Sequence, residues 1–78
     1  MVLTYRWNIT VSKDRAISSA QLIQEIAAVI PICGEAEPEE SEENWVITVP
    51  SQVATQAEIE TKLLEAGIPA KVRLLKPA

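Results

Sequence analysis

The chain has 78 residues, 47% of them apolar but only 4% aromatic, and a formal net charge of −4. That length makes one domain, residues 1–78, with a core of aliphatic side chains and no room for a large deep pocket. With no histidine and a single cysteine, Cys33, it lacks the usual ligands of zinc and copper and cannot close an internal disulfide, so neither metal nor cofactor is expected.

A small fold without disulfide staples suits a reducing compartment. The N-terminal MVLTYRWNITV breaks its apolar run with Arg6 and Asn8, unlike a signal peptide. No stretch approaches the roughly 20 apolar residues that span a bilayer. The expectation is a cytoplasmic protein with no membrane contact.

Leu3, Tyr5, Trp7, Ile9 and Val11 alternate with Thr4, Arg6, Asn8 and Thr10, which predicts a strand over residues 2–11. A helix follows. Ser18 and Gln21 have capping-box spacing, Ile17 and Leu22 flank the cap as a staple, and Leu22, Ile23, Ile26, Val29 and Ile30 form its apolar stripe. Pro31 pushes Ile30 out of helical geometry and closes the element. Residues 32–37 read as a weak strand, the acidic PEESEE as a hairpin loop, and Trp45, Ile47 and Val49 as a confident strand.

The second helix repeats the grammar. Thr55 with Glu58 is another capping box, and Ile59, Leu63 and Ala66 line one face with Leu64 beside them. Gly67 suits the left-handed C-terminal position, with Ile68 folding back on Leu63 and Pro69 following. Residues 70–75, AKVRLL, alternate as the last strand.

The order is β-α-β-β-α-β, and the two halves echo each other. WNITV at 7–11 returns as WVITV at 45–49, and at the same 38-residue shift Ala28 falls on Ala66, Ile30 on Ile68 and Pro31 on Pro69. Two such halves related by a pseudo-twofold predict an α+β, ferredoxin-like two-layer sandwich with a four-stranded antiparallel sheet and an internal duplication. Each tryptophan is expected to pack under the helix of its own half.

Most functional classes lack their residues. Parity puts Trp7 and Trp45 on the core side of their strands, leaving an open face without aromatics, unlike an RNA-recognition sheet. The acidic segment repels phosphates as well, so nucleic-acid binding is not expected. The loop after the first strand, SKDRAIS, has no metal-binding cysteine pair, and the Glu-only run EAEPEESEE lacks the alternating Asp/Asn and central Gly of a calcium loop. Ser18 and Ser19 have no base partner, and the only glycines, Gly34 and Gly67, build no phosphate cradle. The chain is expected not to be an enzyme.

One stretch, TVSKDRAISSAQLIQEIAAVI, resembles ACT-type regulatory domains, in which a strand is followed by an Asp-Arg-Pro-Gly-like turn into the first helix. Asp14 and Arg15 match, and Ala16 and Ile17 replace the Pro and Gly. The resemblance implies a βαββαβ fold and a small-metabolite ligand at the turn of Lys13, Asp14 and Arg15.

Charge distribution says most about partners. Residues 35–43 hold six of the eleven acids, which leaves five acids against seven bases elsewhere, a mildly basic body with one acidic segment. With strands ordered fourth, first, third, second, the open face carries Lys71 and Arg73, then Arg6, then Thr48, then Glu35 and Glu37. Such a face is basic at one edge and acidic at the other, and fits either a homodimer mate or a dipolar foreign partner. The expected function is a non-enzymatic protein-binding module, an accessory or regulatory subunit. Its contact residues would be Arg6, Lys71 and Arg73 on the sheet and Glu39, Glu40, Glu42 and Glu43 in the acidic hairpin. The alternatives are the ACT-like metabolite sensor and an acidic inhibitor that mimics nucleic acid.

Overall fold

A computed structural model describes residues 4–14 and 18–75 of the chain. In order they form β1 (Tyr5–Ser12), α1 (Ser19–Val29), β2 (Glu37–Glu40), β3 (Asn44–Ser51), α2 (Gln56–Glu65) and β4 (Lys71–Leu74). The strands make one antiparallel sheet ordered β2-β3-β1-β4, so the protein is α+β, and the expected strand order is this one seen from the other edge.

The central pair sets the architecture. All eight residues of β1 face eight of β3, from Tyr5 opposite Ser51 to Ser12 opposite Asn44. Alternation then sends Trp7, Ile9 and Val11, with Ile47 and Val49, to the helix side, where all five are buried. Leu22, Ile26 and Ile30 from the first helical segment, Ile59, Leu63 and Ile68 from the second, and Val72 of β4 complete an almost wholly aliphatic core. Leu64 and Ala66, expected beside Leu63, are exposed instead, because the stripe of the shorter α2 narrows to Ile59 and Leu63.

The helix ends follow local chemistry in three places out of four. Ser18 Oγ accepts the Gln21 N–H at 3.2 Å, so the hydroxyl half of the expected box caps α1. Ile30 before Pro31 is extended, at φ −123° and ψ 127°, which ends that helix. The end of α2 is a Schellman motif: Gly67 at φ 79° donates to Leu64 O at 3.0 Å, and Ile68 donates to Leu63 O at 2.8 Å. The start of α2 departs from expectation. Thr55 occupies the cap with extended backbone, but its side chain makes no capping bond.

Three expectations about strands need correction. Alternation alone predicts the first strand over residues 2–11; it runs Tyr5–Ser12, while residues 2 and 3, and the staple residue Ile17, lie outside the described residues. The weak strand over 32–37 is displaced, and β2 is Glu37–Glu40, inside the acidic run. A single bond, Cys33 N–H to Pro50 O at 3.0 Å, touches β3 further upstream. Glutamates tolerate this position because β2 is an edge strand exposed along its whole length, where charge hinders pairing with other chains and Pro38 has no ladder partner to disappoint on its outer side. The loop therefore shrinks from PEESEE to Glu42 and Glu43, with Ser41 closing it through its N–H to Asn44 O at 3.0 Å and its Oγ accepting the Asn44 N–H at 3.1 Å.

The tryptophans also differ from each other. Trp7 is 1% exposed, and its Nε1–H donates to Val53 O at 2.9 Å, in the connection leading to α2 rather than in its own half. Val53 N–H in turn donates to the buried Ser51 Oγ at 3.2 Å, so that connection is tied down at both ends. Trp45 is only half-buried. Trp7→Phe removes the indole donor, orphans the Val53 carbonyl and leaves space in the core; we expect a loss of about 2–4 kcal/mol. Trp45→Phe should cost less than half of that in the same urea denaturation series, and equal losses would contradict this assignment of the core tryptophan.

Candidate functional site

The open side of the sheet is built from the even residues of β1 and β3 and their partners. Asn8 lies opposite Thr48 on one side and Arg73 on the other, and Thr48 lies opposite Glu37. One pleat further on, Thr10 lies between Val46 and Lys71, and Val46 lies opposite Glu39. Two parallel rows thus cross the four strands: Glu37–Thr48–Asn8–Arg73 and Glu39–Val46–Thr10–Lys71. The four charged ends are exposed and the four central residues half-buried, with no aromatic ring in either row.

The expected site residues fall into three places. Lys71 and Arg73 stand two apart on β4 and share the open face with Glu39. Arg6 is one step beyond the rows, opposite Pro50, and its carbonyl accepts the Leu75 N–H at 2.8 Å. The acidic hairpin does not act as one cluster. Successive strand residues point to opposite sides, so Glu40 pairs across from Trp45 on the helix side while Glu39 faces the open side, and Glu42 and Glu43 form the tip. Glu37, which the sequence places on the open face beside Glu35 but outside the expected contact set, occupies a row end, whereas Glu35 precedes β2. The signal was available in the parity of Glu37 and Glu39, once both are read as strand.

The turn after β1 is engaged with the hairpin. Lys13 Nζ lies 2.5 Å from Glu40 Oε2 and 5.1 Å from the centre of the Trp45 ring, and Lys13 N–H donates to Glu43 O at 2.9 Å. Asp14 N–H donates to Ser12 Oγ at 3.3 Å. An open depression bounded by Ser12, Lys13, Asp14, Glu42, Glu43 and Asn44 lies there, with three acids around one cation whose charge is already matched by Glu40. Arg15, the third residue of the expected ligand turn, lies outside the described residues.

No helix among the described residues is long and apolar enough to cross a membrane. No protein-family model, no curated protein and no solved structure matches the chain.

The Lys13 contacts are partly exposed, at 28% for Lys13 and 62% for Glu40, so the ion pair itself is worth at most about 1 kcal/mol. Glu40→Gln should therefore change stability by less than about 0.5 kcal/mol. Lys13→Ala removes the ion pair together with the stacking on Trp45, and should cost about 1–1.5 kcal/mol by equilibrium unfolding. An equal cost for both variants would show that the indole contact contributes nothing.

Proposed function

We propose that the chain is a non-enzymatic protein-binding module, a small accessory or regulatory subunit, whose contact surface is the open sheet face. What carries this reading is the pair of rows, each running from a glutamate at the β2 edge through small uncharged residues to a cation at the β4 edge. A surface of that kind has charge at its margins and a centre that can be covered, and charge of both signs favours a protein over a polyanion. The fold we propose is ferredoxin-like and internally duplicated. Residues 38 apart in the repeat, Ile9 and Ile47, are also opposite each other in the β1–β3 ladder, which is where a local twofold would pass. The echo weakens beyond the central pair, since β4 at Lys71–Leu74 corresponds by that shift to residues 33–36 and not to β2.

The metabolite-sensor and nucleic-acid-mimic readings have less support. The Lys13 turn is occupied by its own hairpin, and the acids of that hairpin are divided between two faces and a tip. A cytoplasmic location goes with the main reading. The test is capture of partners from lysate of the source organism, at low and moderate salt, with three baits: the native chain, Arg6→Glu/Lys71→Glu/Arg73→Glu, and Glu42→Gln/Glu43→Gln. We expect binding by the first and third baits and loss with the second. A partner lost only with the third bait moves the contact to the hairpin tip, and identical recoveries from all three sink the charged-face reading.

A further inference from the structure

We propose that the partner of the open sheet face is a second copy of this chain, related by a twofold axis that runs parallel to the strands between β3 and β1. The proposal rests on the reading of that face as a protein-binding surface and names its occupant. Rotation about such an axis reverses each row across the strands while keeping its height along them. Glu37 then meets the mate's Arg73, and Glu39 meets the mate's Lys71, each pair occurring twice. The match holds in both rows, and a foreign partner would give no reason for each row to be the charge reverse of itself.

The charges also exclude the competing arrangements. A face-to-face twofold perpendicular to the strands keeps each edge over its own kind, acid on acid and base on base. Edge-to-edge twofolds, β2 with β2 or β4 with β4, do the same. Pairing β2 of one copy with β4 of the next is attractive but does not close, and gives open chains rather than dimers. The centre of the two rows poses no obstacle to close approach, since Thr48, Asn8, Val46 and Thr10 are of modest size and none is charged, while Arg6 and the mate's Arg6, two like charges at one height, lie one pleat beyond the rows near the strand end. An open hollow of about 270 Å³ at the β1–β4 boundary, lined by Asn8, Thr10, Lys71 and Arg73, is where the mate's Glu37 and Glu39 carboxylates arrive.

The size of the face sets the strength. The two central strands reach about 27 Å and the two four-residue edge strands about 13 Å, each about 4.8 Å wide, so each copy covers roughly 400 Å². That is well below the roughly 800 Å² per partner of a standard stable complex, which places the dimer among weak, concentration-dependent ones. Four marginal ion pairs make it salt-sensitive, since the Debye length falls from about 30 Å at 0.01 M salt to about 3 Å at 1 M.

The experiment is sedimentation velocity on the full chain up to about 1 mM, in salt of about 0.01 M and 1 M. The variants are Glu37→Lys/Glu39→Lys, Lys71→Glu/Arg73→Glu and the chain carrying all four changes. We expect the native chain to dimerise at low salt and dissociate at high salt, and each two-site reversal to weaken self-association at least about tenfold. An equimolar mixture of the two reversed chains should form a one-to-one heterodimer, and the four-site chain should dimerise again, which also shows that the reversals leave the fold intact. A native chain that stays monomeric at the highest concentration, a mixture that does not associate, or species larger than dimers would overturn the proposal. If the native chain is monomeric while the Arg6→Glu/Lys71→Glu/Arg73→Glu bait still loses a lysate partner, the face binds protein but not itself; if capture is also unaffected, the protein-binding reading of the face fails too.

Discussion

Everything in this molecule depends on the unbroken pairing of β1 with β3. Eight residues against eight, with no bulge, fix one parity for both strands. A slip of one residue would put the two strands out of phase, so that either Trp7, Ile9 and Val11 or Ile47 and Val49 would turn out to solvent and Asn8 and Thr10, or Val46 and Thr48, would come beneath the helices. Five buried apolar side chains therefore hold the register, and the register in turn decides which residues of β2 and β4 share the open face. The charge rows are a by-product of core packing.

The second constraint is how a chain this small closes its ends. Its described core is aliphatic apart from Trp7, so the directional interactions sit at the margins. The Trp7 indole and the buried Ser51 hydroxyl pin Val53 from two sides, which anchors the passage from β3 to α2. The Schellman close at Gly67 aims Ile68 back into the core and starts the return towards β4. Both devices use side chains or backbone conformations that few other residues supply.

The two edges of the sheet are handled by charge of opposite sign. β2 is acidic and fully exposed, and β4 carries Lys71 and Arg73 with Leu74 partly exposed between its strand and solvent. Charged edges discourage indiscriminate strand addition. The same charges, read across the sheet, make each row a dipole, and a dipole is its own complement under one particular rotation. Protection against aggregation and the proposed self-association surface are thus two consequences of one distribution of charge.

Periodicity and punctuation made much of this legible in the sequence. Alternation through Tyr5–Val11 and Trp45–Val49 identified the central strands and their buried side, Ser18 and Pro31 bounded α1, and Gly67 ended α2, because each signal is local and independent of distant contacts. The placement of Lys71 and Arg73 on the open face followed from the same parity. The tertiary structure alone decided where β2 lies. Glu-Pro-Glu-Glu has no intrinsic preference for a strand, and it becomes one because β3 offers it a free ladder and the two-residue tip at Glu42 and Glu43 sets the pairing. That pairing separates Glu39 from Glu40, gives Glu40 to Lys13 and aligns Glu37 and Glu39 with Arg73 and Lys71 across four strands. Alternation tells which way a side chain points, but its height on the sheet is set by registers between segments far apart in the chain, and no local pattern encodes those.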